Sequence, residues 1–146
     1  MNAARDPCRP VLEALRRLLE PLGLEPEDLA GLDIDPYGPR VIAALEPRWA
    51  IRVVLDASPD GAELEAALEA PKGLDQAEAE AVLEETVLEE AQAVDEYDVA
   101  YDPEQGEAVI TLHAAHPARL PRIDRLAEKA AEKLRGLAGG ATGRQG

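Results

Sequence analysis

The sequence has no phenylalanine and only one tryptophan, one methionine and three tyrosines. Leucine, alanine and valine must therefore fill any hydrophobic core, which favours elements that pack closely through small and aliphatic side chains. At 146 residues, with 46% of them hydrophobic, the chain is long enough for one such core. These features predict a single globular domain.

Cysteine and long apolar runs are also scarce. Cys8 is the only cysteine, so no internal disulfide can form, which suits a reducing cytoplasm. No run approaches the roughly 18 apolar residues that a membrane-spanning helix needs. Residues 1–10 are polar and contain two prolines, unlike a secretory signal. We therefore expect a cytoplasmic protein that does not associate with membranes.

Basic residues are outnumbered two to one, with 15 Lys and Arg against 30 Asp and Glu, for a net charge of −15. Nucleic acids and anionic membranes both attract clustered Lys and Arg, so this charge argues against either partner. Residues 56–107 contain eighteen acidic residues and one basic residue, Lys72, whereas seven basic and three acidic residues follow from His113 onwards. We expect part of the acidic middle to pair with the basic end, inside the fold or across a dimer.

Hydrophobic periodicity predicts three helices. The first covers 11–22 and ends at Gly23, and the second starts at a capping box formed by Asp75 and Glu78 and runs to about Ala93. The third covers 120–137.

Alternating apolar residues predict five strands. Strands are expected at 40–46, 49–56, 97–101 and 107–113. Residues 62–70 fit either a strand or a helix, and their position after the turn Ser58–Gly61 favours a strand. Residues 24–39 are expected to form an irregular loop with a helical turn at 27–32.

The predicted order is therefore α-β-β-β-α-β-β-α. We expect one α+β domain over residues 11–137, in which helices flank an antiparallel sheet. Residues 1–10 are expected to be irregular and residues 138–146 to form a flexible tail.

The segment LEETVLEEAQ (83–92) places four glutamates at helical spacing: Glu84, Glu85, Glu89 and Glu90. A di-metal helix-bundle site would need inward glutamates with Glu-x-x-His motifs, and this helix has no histidine. We interpret these carboxylates mainly as a solvated face, with contact to basic residues of a partner as the alternative.

The only two histidines, His113 and His116, lie three residues apart at the end of a predicted strand. Such a pair could ligate zinc in a metal-dependent hydrolase if carboxylates completed the shell, but none lies in register nearby. Cys8 has no positioned base, and the sequence has no phosphate loop, nucleophile elbow or dinucleotide fingerprint. We therefore expect no enzymatic activity, no metal and no cofactor.

The second predicted helix has two apolar sides. One carries Leu83 and Val87, and the other carries Ala77, Ala81 and Leu88. A helix that covers a sheet in a monomer needs only one apolar side. The second side is expected to meet either another helix of the same chain or a second copy of the protein.

Three segments give the sequence a resemblance to a known family: LRRLLEPLGL (15–24), VLEETVLEEAQ (82–92) and YDVAYDPEQGEAVITL (97–112). With the element order, they resemble the class I chaperones of type III secretion, which have the CesT-like fold, and the related YbjN-like proteins. The likeness covers about residues 11–137. It rests on pattern and order and not on an invariant signature.

The resemblance implies a homodimer without catalytic activity, whose interface comes from the second helix and the following hairpin. The corresponding residues here are Ala77, Ala81, Leu88, Val99 and Tyr101.

The resemblance also implies that the dimer holds an extended segment of a client protein. The first helix and the sheet would supply apolar grooves, which maps client binding onto Leu12, Leu15 and Leu19. Strand addition at a sheet edge is the expected mode of binding. A YbjN-like regulatory or stress-associated protein that binds a folded partner is the alternative.

Overall fold

A computed structural model describes residues 8–35 and 37–145, with side-chain positions for residues 13–35 and 37–139. The helices are α1 (Cys8–Leu19), α2 (Gln76–Glu90) and α3 (Ile123–Gln145). The strands are β1 (Leu29–Ile34), β2 (Val41–Leu45), β3 (Arg52–Ser58), β4 (Gly61–Glu69), β5 (Glu96–Asp102) and β6 (Glu107–Ala114). Short 3₁₀ turns occupy Glu20–Leu22, Pro26–Asp28 and Pro117–Arg119.

The six strands form one antiparallel sheet in the order β1-β2-β3-β4-β6-β5. This confirms the predicted α+β class. Residues 61–69 form a strand that pairs with β3 and β6 in the middle of the sheet, which confirms the preferred reading of that segment. Strands β1 and β5 form the two edges of the sheet, so each has a neighbouring strand on one side only.

All three helices pack on one face of the sheet. Alternate residues of the central strands point to that face, where Leu55, Leu64 and Leu112 lie side by side in register and fully buried. Leu19 of α1 and Leu126 of α3 join them in one core cluster. No helix of the described chain covers the other face, where the side chains of Glu63 and Glu65, for example, are exposed.

The main difference from the prediction is β1, which lies where we expected an irregular loop. Leu32 and Ile34 alternate with Gly31 and Asp33, but the register shifts between Leu29 and Gly31, which breaks the two-residue period. The expected helical turn at 27–32 is a 3₁₀ turn that ends at Asp28.

The helix bounds also differ from the predicted ones. Helix α1 starts at Cys8, inside the expected irregular N-terminus, and gives way to a 3₁₀ turn before Gly23, whose φ of 77° caps that turn. Helix α3 continues to Gln145, eight residues beyond the predicted end of the third helix at 137. Glycine lowers helix propensity by about 1 kcal/mol relative to alanine, but it does not stop a helix as proline does.

The strand predicted at 49–56 begins later, at Arg52. The first residues of the predicted strand form a turn instead, in which the Ala50 N–H donates a hydrogen bond to the Pro47 carbonyl. The side chain of Ile51 is consequently 49% exposed and does not continue the buried row of Val53 and Leu55.

Candidate protein-binding surfaces

An apolar groove of about 200 Å³ separates α1 from the edge strand β1. It is lined almost entirely by carbon atoms of six residues, Ala14, Leu15, Leu18, Leu32, Ile34 and Val41. Leu32 and Ile34 are 40% and 44% exposed, which is high for aliphatic side chains in a chain with so few large apolar residues. The groove can therefore take up apolar side chains at this edge of the sheet.

The free hydrogen-bonding groups of β1 belong to the same two residues that line the groove. The Asp35 N–H donates to the Arg40 carbonyl, so residue 35 faces β2. Since alternate residues of an antiparallel strand face the same neighbour, Asp33 and Gly31 also bond β2. The N–H and C=O groups of Leu32 and Ile34 consequently point away from the sheet.

The opposite edge, β5, is partly blocked. The N–H of Tyr101 points outwards and donates to the carboxylate of Glu80 on α2 at 3.1 Å. A charged side chain that caps an edge strand in this way disfavours the addition of a further strand. Of the two edge strands, β1 is therefore the better site for the addition of a further strand.

The predicted client-binding residues fall in three places. Leu15 lines the groove, but its side chain is only 4% exposed and belongs to the core cluster, so its contact with a client stays a prediction. Leu19 is fully buried in the core beside the sheet, so it is not available to a client, and its assignment is corrected. The side chain of Leu12 lies outside the described residues. Sequence reasoning missed Leu32 and Ile34, for which the only signal was a short alternation next to a glycine.

The second apolar side of α2 is exposed in the protomer. Leu88 is 60% exposed, and Ala77 and Ala81 are exposed on the same helix, so α3 does not cover them. Val99 is half-buried on β5. Tyr101 is buried, and its hydroxyl donates to the Pro71 carbonyl and accepts from the Leu74 N–H, so its assignment to a dimer interface is corrected.

The glutamates of α2 are largely paired within the fold. Lys133 of α3 contacts Glu85 at 3.5 Å and Glu89 at 3.1 Å, and Lys129 contacts Glu90 at 3.3 Å. The hydrogen bond from Lys133 lowers the pKa of Glu89 below its ordinary value. The acidic middle and the basic last helix thus meet as the charge distribution predicted, whereas Glu84 remains exposed.

The two histidines have separate surroundings. His113 lies on the uncovered face of the sheet, between Glu63 and Glu96 of the neighbouring strands. His116 caps the following 3₁₀ turn, where its Nδ1 accepts from the Ala118 N–H at 3.0 Å. Among residues whose side chains are described, no three His, Cys, Asp or Glu side chains are grouped so as to hold a metal ion.

A larger cleft, of about 530 Å³, lies between α3 and the turn before β3. Trp49 and Ile51 supply its apolar wall, and Arg48, Arg135 and Glu128 its charged rim. Because this rim mixes both signs of charge, its electrostatics favour neither an anion nor a cation.

Comparison of the sequence with protein-family models and with curated proteins gives no match. None of the described helices combines the length and the apolar character required to span a bilayer. The surfaces described above are therefore the basis for inferring what the protein does.

Proposed function

We propose that this protein is a non-catalytic binding protein that takes up an extended segment of a client by strand addition to β1. The observation that carries this proposal is that the free main chain of β1 and the apolar groove coincide at Leu32 and Ile34. Strand addition uses both features, because main-chain hydrogen bonds give affinity and pockets for alternate side chains give specificity.

The geometry of β1 also specifies the client's chemistry. Client residues directly opposite Leu32 and Ile34 would point their side chains to the same face, into the groove. The intervening residue would point to the other face, beside the exposed carboxylate of Asp33. A segment that alternates apolar and basic residues is the best match.

A homodimer in the cytoplasm is part of the proposal. The exposed apolar side of α2, formed by Ala77, Ala81 and Leu88, is the surface for a second copy, with Val99 as a neighbouring contact. The single cysteine suits a reducing compartment. Such a dimer would act as a chaperone or adaptor, in keeping with the resemblance to secretion chaperones.

The first experiment measures binding of a fluorescein-labelled peptide of alternating valine and lysine by fluorescence anisotropy. A peptide of the same composition, with valines and lysines in separate blocks, is the control probe. We expect the alternating peptide to bind at least about tenfold more tightly, a difference of about 1.4 kcal/mol. Equal affinity for the two peptides would contradict strand addition.

Two variants locate the site. Leu32→Pro removes an outward N–H without removing a hydrogen bond to β2, and proline is tolerated in that position of an edge strand. We expect it to abolish binding, whereas Leu32→Ala, which keeps the N–H, should retain part of it. Ile34→Lys should also abolish binding, and Ile51→Lys, at a similarly exposed isoleucine outside the groove, should not.

A further inference from the structure

Strands β4, β5 and β6 contain seven acidic residues and no lysine or arginine. The register places all seven on the face of the sheet that the helices leave uncovered. They are Glu63, Glu65 and Glu69 of β4, Glu96, Asp98 and Asp102 of β5, and Glu107 of β6. We refer to the uncovered side of these three strands as the acidic face.

The acidic face is not neutralised within the described part of the chain, in contrast to the glutamates of α2. None of its seven carboxylates takes part in the ion pairs seen among the described residues. Glu69, Glu107 and Asp102 are directly opposite one another on adjacent strands. Like charges in that position destabilise a sheet, so a cationic partner would relieve a repulsion that the protomer retains.

An apolar row crosses the acidic face between its carboxylates. It consists of Ala67, Val109 and Ala100, which are aligned on β4, β6 and β5. Ala67 is buried, Val109 is half-buried and Ala100 is exposed. Carboxylates lie two residues away on both sides of the row along β4 and β5, and on one side along β6, where Glu107 precedes Val109 and Thr111 follows it. Two residues correspond to about 6.6–6.8 Å along a strand. Arg52 of β3, opposite Ala67, is the basic residue in register with this row.

We propose that the acidic face docks a basic segment of a partner protein, in which lysines and arginines flank a short apolar centre. The apolar centre would pack on Val109 and Ala100, the accessible part of the row, and the basic side chains would reach the carboxylates beside it. The charge of the face excludes nucleic acids and anionic lipid surfaces as occupants. This site is separate from the client groove at β1.

The test is a binding titration of the full chain with a labelled peptide whose short apolar centre is flanked by lysines. The variant Glu65→Lys/Glu107→Lys reverses two charges of the acidic face. The control Glu20→Lys/Glu132→Lys makes the same change of net charge at exposed positions in the 3₁₀ turn after α1 and on α3. We expect the first variant to bind at least about tenfold more weakly than the wild type and the control to stay within about twofold.

Three outcomes would overturn the proposal. Equal losses in the two variants would mean that the peptide senses only net charge. Equally tight binding of an oligolysine of the same charge would mean that the apolar row has no part in docking. Loss of binding in Leu32→Pro would place the peptide at β1 and not on the acidic face. Retained affinity in Leu32→Pro, with the expected loss in Glu65→Lys/Glu107→Lys, supports it.

Discussion

At the scale of single residues, Tyr101 joins three parts of the chain. Its hydroxyl donates to the Pro71 carbonyl and accepts from the Leu74 N–H at 3.2 Å, while its main-chain N–H donates to Glu80. The loop before α2, the helix itself and the edge strand β5 are thereby held together around one buried ring. Tyr101 therefore has a structural role in the protomer.

We predict that Tyr101→Phe lowers the free energy of unfolding by about 1–3 kcal/mol, because it leaves the buried partners of the hydroxyl without a hydrogen bond. Urea denaturation followed by circular dichroism measures the change. Tyr97→Phe is the matched control, since Tyr97 is 37% exposed and its hydroxyl makes no hydrogen bond to the described residues. Equal stability of Tyr101→Phe and the wild type would contradict the assigned role.

Leu15 and Leu19 illustrate what the sequence can and cannot predict about single residues. Both belong to the apolar stripe of α1, and the helical period identifies that stripe correctly. The period does not indicate which member of the stripe faces the middle of the sheet and which faces its edge. That distinction depends on where α1 lies relative to β1, which the sequence analysis did not identify as a strand.

At the scale of elements, α2 has one side against the sheet and α3 and another that is open. Its buried side carries Leu83 and Val87, and its open side carries Leu88. The two apolar sides that the periodicity predicted are thus both present, and only one of them is used within the protomer.

We predict that Leu88→Asp converts a dimer to a monomer while the stability of the protomer changes by no more than about 0.5 kcal/mol, as is usual for exposed positions. Sedimentation velocity measures the oligomeric state, and thermal unfolding measures stability. Ile51→Asp, at another exposed aliphatic residue, should leave the dimer intact. A wild-type protein that sediments as a monomer at all concentrations would contradict the dimer.

The strands differ in how well their sequences predicted them. Strand β4 was found because the turn Ser58–Gly61 precedes an alternation of buried leucine and alanine. Strand β1 escapes prediction because it contains Gly31 and changes register beside it, which breaks the alternation. Its contribution to the candidate site comes from a free edge, and the lack of a neighbour on one side is a property of the assembled sheet that local sequence does not encode.

At the scale of the whole molecule, seven of the thirty acidic residues lie on the acidic face, and none of the ion pairs among the described residues neutralises them. Basic residues of α3 pair with α2, and Arg40 pairs with Asp56, whose pKa is lowered by that hydrogen bond. The carboxylates of the acidic face, in contrast, still repel one another. We therefore expect ionic strength to change the stability of the protein mainly by screening the carboxylates of the acidic face.

We predict that added NaCl raises the melting temperature, because the screening length shortens from about 10 Å at 0.1 M to about 3 Å at 1 M. Differential scanning calorimetry measures the effect. The increase should be smaller in Glu65→Lys/Glu107→Lys than in Glu20→Lys/Glu132→Lys, which carries the same net charge. A melting temperature that falls with salt would contradict unrelieved repulsion on the acidic face.

The lack of lysine in the acidic face has a practical consequence for covalent capture. The chain has only three lysines, Lys72, Lys129 and Lys133, and none of them belongs to a strand. Reagents that join two amines would therefore find no anchor on the three strands themselves, and Lys72, whose side chain lies next to Gly106 just before β6, borders their end. A carbodiimide would instead join the carboxylates of the face directly to the amines of a lysine-rich partner.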